Sequence, residues 1–446
     1  MTPPPPPSRT LQGAPTPAPA GAWTGPRKRL PLLPFVPFIL SALVLLGGLF
    51  PLAPVREVVT GAPLPGVSLE TGPLYLLFAP LYGTWDRLGL LPLSIHIGFL
   101  LTLIGGFLIW RLVRRRSRRG LAARMAVELG MAALSLAALL AFYAAGALLQ
   151  RPMATLVVED PELLVIDLHS HTDRSHDGRA GFDPEMRREW NASSGFHAVL
   201  VTDHYNWGGY QDGRGANPAR AGMGTVLLQG AELKLFGKHT NVMGDSLRYR
   251  PFIDDTGRNL RPEILEPAIR SGQVPPPTFL MALPVDLSDF QGYGPDAPLG
   301  LIGLEVNDAS PKGMEQSMAD RELLLQIADS LDLAIFAGSN NHGWGRTAAA
   351  WNLMRLPGWR DATPGDLERR VEAELHLQRR GAVTVVERPV PWHGGNDVLL
   401  ALAGPHVVVH LFRTLNWGER LSWLAWIWIG TGVLLRIRPR SAATPR

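Results

Sequence analysis

Seven short, mostly apolar runs lie between Leu163 and Asn341: Leu163 to Leu168, Ala198 to Val201, Thr225 to Leu228, Asn241 to Gly244, Thr278 to Leu283, Leu301 to Val306 and Ala334 to Ala337. Each is short and evenly apolar, as expected of a strand buried on both faces. Polar or helical stretches separate them. Pro184 to Ser193, opened by a proline suited to a first helical turn, and Met318 to Leu331 carry helical character. Strands alternating with helices predict an α/β domain built on a parallel sheet. In such a domain, active sites collect at the C-terminal ends of the strands.

Longer apolar runs dominate the first third of the chain. Leu30 to Pro54, Leu90 to Val113 and Met125 to Leu149 are each long enough to cross a hydrocarbon core of about 30 Å as a helix. Leu421 to Leu435 is shorter, but Trp423, Trp426 and Trp428 suit a membrane interface and Arg420 and Arg436 could snorkel at its ends, so a fourth span is expected there. The run Val398 to Phe412, broken by Pro405, His406 and His410, reads as a buried or interfacial segment. These patterns divide the chain into a proline-rich disordered tail (1–29), a three-helix membrane region (30–150), a domain carrying chemistry (151–396) and a C-terminal hydrophobic segment (397–446).

Charge orients these segments. Arg27, Lys28 and Arg29 precede the first run, Arg111, Arg114, Arg115, Arg116, Arg118 and Arg119 separate the second from the third, and Arg436, Arg438 and Arg440 follow the last. Basic residues beside short loops mark the cytoplasmic side, so the domain from Arg151 to about Asp397 is expected outside the cell membrane, with the lipid bilayer as a partner. The first run could be a signal peptide, but its long approach and the weak cleavage site at Phe50 to Pro54 favour an uncleaved anchor. The net charge of +4 comes largely from these flanking arginines and gives no reason to expect nucleic acid. The chain has no cysteine, which excludes disulfides and thiolate-bound zinc.

The chemistry-bearing residues sit at the ends of the strand-like runs. The first passes directly into Asp167-Leu168-His169-Ser170-His171-Thr172 and then Ser175-His176-Asp177-Gly178. On an extended segment His169 and His171 point to the same side, so both imidazoles can reach one ion. Later runs end at Thr202-Asp203-His204, at Glu232 and at Ser339-Asn340-Asn341-His342, while His239 directly precedes another. His197 enters a strand from the opposite end and reads as structural, and His376 and His393 carry no motif.

These residues resemble the polymerase and histidinol phosphatase (PHP) superfamily over roughly Leu163 to Trp359, less than half of the chain. The first motif is matched by Asp167 to Thr172 with Ser175 to Gly178, the second by Thr202-Asp203-His204, and the third by Gly230-Ala231-Glu232 with His239 downstream. The resemblance implies a distorted (β/α)7 barrel flanked here by transmembrane α-helices, and a metal-dependent phosphoesterase activity using divalent Mn, Fe or Zn. It implies that His169 and His171 bind one ion, that Asp177 and His204 bind a second, that Glu232 bridges, and that His239, Asn340 and His342 complete the ligand set. Two positions depart from the family pattern. Leu283 stands where a histidine before Pro284 is usual, and Asn340 stands where an aspartate is usual. Losing one imidazole and one carboxylate should weaken a buried cation cluster, so two ions are expected and not three.

The expected function is hydrolysis of a phosphorylated small-molecule or envelope substrate at the outer face of the membrane, through metal activation of water. Asp203 is placed either to orient the ring of His204 or to cap a turn, and Arg346 either to grip a phosphate or to pair with a carboxylate. Two alternatives remain: a catalytically decayed metal-binding sensor or assembly module, and a metal-dependent amidohydrolase, for which Lys234 is the nearest mid-barrel lysine.

Overall fold

The computed structural model describes residues 35–114, 120–290 and 300–437. The tail expected over 1–29 and the basic residues Arg27 to Arg29, Arg115 to Arg119 and Arg438 to Arg440 lie outside the described residues.

Seven strands wall a barrel: β1 (Leu163–Ser170), β2 (Ala198–Val201), β3 (Val226–Leu235), β4 (Lys238–Met243), β5 (Thr278–Met281), β6 (Leu301–Asp308) and β7 (Ala334–Gly338). They are hydrogen-bonded in that order, and they are the seven apolar runs of the sequence. Nearly every residue in β1 and all of β2, β5, β6 and β7 are buried, which is why these segments lack an alternating pattern. The expectation of an all-parallel sheet needs correction at β4, which runs antiparallel to both neighbours. Its cause is local: Phe236 and Gly237 both have positive φ, 52° and 77°, so a two-residue hairpin turn joins β3 to β4, and a connection that short cannot return parallel. The reversal brings the start of β4, and His239 with it, to the end of the barrel where β3 presents Glu232.

The sheet is also larger than a seven-stranded barrel. β8 (Ala350–Arg355) pairs antiparallel with β1, β9 (Thr384–Glu387) pairs with β8, and the two residues Arg56–Glu57 pair with β9, giving ten strands in one curled sheet. β7 therefore meets β1 at a seam without a regular ladder. Asn352 of β8, fully buried, closes that seam: its amide accepts from Ala337 N at 2.7 Å and donates to Ala337 O at 2.7 Å and to Ile166 O at 2.9 Å. Asp167 adds a bond from Ser339 N at 3.1 Å, and Asn340 N donates to His169 O at 2.9 Å.

The helix Pro184–Ser194 covers the β1 side. Asp183 caps it by accepting from Met186 N at 2.8 Å, Pro184 fills the first turn, and Gly195 ends it in the left-handed region at φ 91°, where a Cβ would overlap Leu156 O. Its Arg187 is fully buried and points at the barrel rim.

Two helices are long and apolar enough to cross a membrane, over Leu93–Arg111 and Met125–Leu148. The other expected spans differ. Within Leu30 to Pro54 the described helix is Val36–Gly47, twelve residues or about 18 Å of rise, shorter than a hydrocarbon core. The helix Trp417–Ile437 has the length but carries Glu419 and Arg420 in its first turn. Val398 to Phe412 forms two short helices, Asp397–Ala401 and Ala403–Thr414. Residues before and after the two long helices meet in a separate two-stranded sheet, where Val67–Glu70 pairs with Thr155–Val158. Asp86, 1 % exposed, fastens the helices to the barrel. It lies 2.7 Å from Arg151 and 3.2 Å from Arg388, and it accepts from Tyr75 at 2.9 Å and from Thr347 at 2.8 Å. Burial alone would raise its pKa, but Arg151 and Arg388 hold it below the usual carboxylate value.

Asn352→Ala removes three side-chain hydrogen bonds to buried backbone groups at the seam. Unfolding of the full chain in denaturant, followed by tryptophan fluorescence, is expected to show a loss of about 3 kcal/mol. An unchanged midpoint would mean that the seam closes without this side chain.

Candidate metal centre

The strand ends converge on one rim around Glu232 of β3, which is 2 % exposed. Its Oε2 lies 3.3 Å from His169 Nε2, 3.3 Å from His171 Nε2 and 3.2 Å from His204 Nδ1, and its Oε1 contacts His239 Nδ1. Asp177 faces the same group from the loop after β1, with His342 Nδ1 at 3.2 Å and His204 Nε2 at 3.5 Å. The rings of His171 and His342 stack at 4.0 Å and those of His171 and His204 at 4.7 Å. Asn340 bridges the edge of this group: Nδ2 donates to Asp308 at 2.9 Å and Oδ1 faces His342 Nε2 at 3.0 Å.

Two carboxylates belong here that sequence reasoning missed. Glu305 and Asp308, both fully buried on β6, form with His169 a set of donor atoms within 4.8 Å of one another. Glu305 Oε1 is 3.1 Å from His169 Nδ1, and Oε2 accepts from Leu283 N at 2.7 Å. The apolar run had been expected to end at Val306, but the strand continues to Asp308. The available signal was an acid inside a continuous apolar strand, since a buried charge needs a partner. Asn307, beside Asp308, faces the other way and donates to Glu387 at 2.6 Å, because a register shift against β7 skips Val306 and breaks the two-residue alternation from Glu305. His176 forms a further donor group with Asp177 and His204. Its side chain is 69 % exposed.

All eight residues expected as ligands are thus brought to one rim: His169, His171, Asp177, His204, Glu232, His239, Asn340 and His342. Asp203 and Arg346 are placed otherwise. Asp203 accepts from Thr172 N at 2.6 Å and Thr172 Oγ1 at 2.8 Å, fixing the turn after His171 and leaving the ring of His204 to other partners. Arg346 turns outward to Arg151 O at 2.9 Å, to Gln150, and to Glu189 at 3.8 Å, so it pairs with a carboxylate and touches none of the rim histidines. Lys234 of β3 lies opposite His239 in the β3–β4 pairing. His197 accepts from Val165 N at 3.1 Å and stacks on Trp359, a structural role. Arg187 is the cation that does serve the site. It donates to His171 O at 2.9 and 2.6 Å and contacts Asn341 O, tying the β1 and β7 ends together.

The residues fit a divalent cation. His169 Nε2 and His171 Nε2 face each other at 3.1 Å. His204 Nδ1 and His342 Nδ1 are buried and lack a hydrogen bond although each has a carboxylate oxygen 3.2 Å away. Nitrogens and oxygens aimed at a common point, rather than along each other's bonds, are arranged for a third body. Charge agrees. Burial keeps His171 far below its usual pKa, with His342 adding to the effect, and lowers His342 to about 4, so both rings are neutral donors. Burial pushes Glu305 up to about 7 and raises Asp308. His169 would lose its proton to burial, but Glu305 and Glu232 hold its pKa well above the usual value. Burial would likewise raise Glu232, yet its hydrogen bonds with His169 and His239 keep it well below the carboxylate range. Where protons balance this cluster, a cation can replace them.

No family model matches the chain, and no curated protein does. Among solved structures, it is similar to PsfC of Pseudomonas syringae, at 18 % identity and a TM-score of 0.35, over 54 % of this chain and 96 % of that one. It is similar to a two-domain Bacteroides vulgatus protein containing a predicted PHP-like metal-dependent phosphoesterase, at 17 % identity and a TM-score of 0.27, over 47 % of this chain and 63 % of that one. A third is a lesion-specific endonuclease of Pyrococcus furiosus, at 16 % and 0.33, over 46 % and 55 %. None of these likenesses is strong enough to assign chemistry.

Asn340→Asp sets a carboxylate against Asp308. The melting temperature of the full chain is expected to fall in the presence of a chelator and to recover when Mn or Zn is added. An equal loss with and without the ion would show that Asn340 does not border an ion site.

Proposed function

We propose that the chain is a metal-dependent hydrolase of the PHP kind, a phosphoesterase whose barrel stands at the outer face of the membrane. The observation that carries it is Glu232, one buried carboxylate within 3.3 Å of three imidazoles and in contact with a fourth. His169, His171 and Glu232 would hold one ion, and Asp177 and His204, with Glu232 shared, a second. Divalent Mn, Fe or Zn there would make water more acidic and offset charge on a phosphoryl oxygen. The chain's own residues supply the frame: Arg187 and Asp203 fix the backbone on either side of His171, while His176 and His239 stand at the exposed side of the rim, where a substrate arrives.

A decayed sensor module is the second reading, motivated by Leu283 and Asn340. Glu305 and Asp308 weigh against it. The backbone of Leu283 is engaged by Glu305, and Asn340 by Asp308, so the departures coincide with carboxylates that restore anionic charge. For orientation, the supporting features are the two apolar helices and the arginines that separate them in the sequence, of which Arg111 pairs with Glu128 at 2.5 Å. Positive charge between the two helices favours the cytoplasm there, and the barrel outside.

Ion-loaded full chain is expected to hydrolyse p-nitrophenyl phosphate or its diester, and His169→Ala and Glu232→Gln are expected to lose at least about 100-fold. No turnover of either ester at full ion content would sink the hydrolase reading. Orientation is tested with Leu377→Cys, a 75 % exposed position in a chain without cysteine. Labelling of intact cells by a membrane-impermeant maleimide is expected; labelling after lysis alone would place the barrel inside.

A further inference from the structure

A cavity of about 350 Å³ joins the candidate metal centre to the long helices. One end is formed by Asn340 and His342 from the rim, and the other by Trp85, Leu91 and Tyr143. Tyr143 lies near the end of the apolar stretch Met125–Leu148, and its hydroxyl is 3.0 Å from His96, near the start of Leu93–Arg111. The helix-side wall thus comes from the ends of both apolar helices that adjoin the barrel. The one permanently charged side chain in the lining, Arg151, is held by Asp86 at 2.7 Å. An apolar chain entering the cavity meets no free charge. Trp344, 53 % exposed, also lines it and suits a membrane interface.

We propose that this cavity binds the hydrocarbon chain of an amphiphilic phosphate ester and presents its head to the metal centre at His342. The inference rests on the phosphoesterase reading for its chemistry and on the cavity for its substrate class. Three features favour an amphiphile over a free soluble phosphate. The wall is largely apolar, it is continuous with the rim, and its far end belongs to helices apolar enough to lie in lipid. A head group could then reach the rim while its chain stays among the helices. The Asp86 cluster, which joins the helix Ala79–Gly89 to Arg151, Thr347 and Arg388, holds the two ends of the cavity in fixed relation.

The test uses the full chain in maltoside detergent, loaded with Mn, and calorimetric titration with inorganic phosphate and with methyl-, butyl- and octylphosphonate. Burial of methylenes is expected to tighten binding along the series, by at least about 100-fold from methyl to octyl. Gly89 lines the cavity, and a Cβ there would sit at an ordinary 3.8 Å from Thr347. Gly89→Phe, and independently Ala147→Phe, should remove most of that gain while ion content, measured on the same samples, shows the rim still assembled. A flat series, or a chain-length gain that survives both fillings, overturns the proposal. Hydrolysis of soluble esters with a flat series would leave the phosphoesterase reading standing without it. A steep series in a chain that hydrolyses no ester would keep the amphiphile site and remove the catalysis.

Discussion

The placement of one carboxylate governs this molecule. Glu232 is buried among four histidines, and taking a carboxylate out of water costs several kcal/mol unless it is paired and hydrogen-bonded. The four partners come from three parts of the sheet: His169 and His171 from β1 and the residue just past it, His204 from beyond β2, His239 from β4. The barrel must close for that group to form. It closes at a seam where side chains and loop amides replace a strand ladder, with Asn352, Asp167 and the backbone of Asn340 supplying the hydrogen bonds.

Compensation is the second theme. Leu283 and Asn340 read as losses when strand ends are compared one by one, yet each touches an acid on β6. Glu305 and Asp308 keep the anionic character of the rim, and Asn340 becomes a neutral bridge between a carboxylate and an imidazole. Arg187 works from behind. Buried in a helix, it holds two backbone segments that carry donors, so the histidines are aimed by the scaffold before any ligand arrives.

The helices and the barrel are one construction. Asp86 gathers Arg151, Arg388, Tyr75 and Thr347 from four parts of the chain, and residues before and after the long helices pair in the same small sheet. The cavity lies at this junction, lined by Tyr143 of the second long helix and by the same His342 that faces Asp177.

The sequence by itself determined the seven barrel strands and most of the rim. Continuous apolar runs have few alternatives to a buried sheet, and the spacing of His169 and His171 depends only on the two-residue period of a strand. Two of the four long apolar runs likewise read correctly as helices with the length and apolarity of spans. Tertiary structure decided the rest. β4 reverses because of the Phe236-Gly237 turn, Asp203 and Arg346 found partners away from the donors, Glu305 inside the apolar run met His169 across the sheet, and Asp308 reached the rim because β6 runs two residues further than its apolar core. Those outcomes depend on which groups meet across the barrel. A linear pattern records that a residue is polar or apolar, but its partner, and therefore its charge and its role, is set by contacts between strands far apart in the chain.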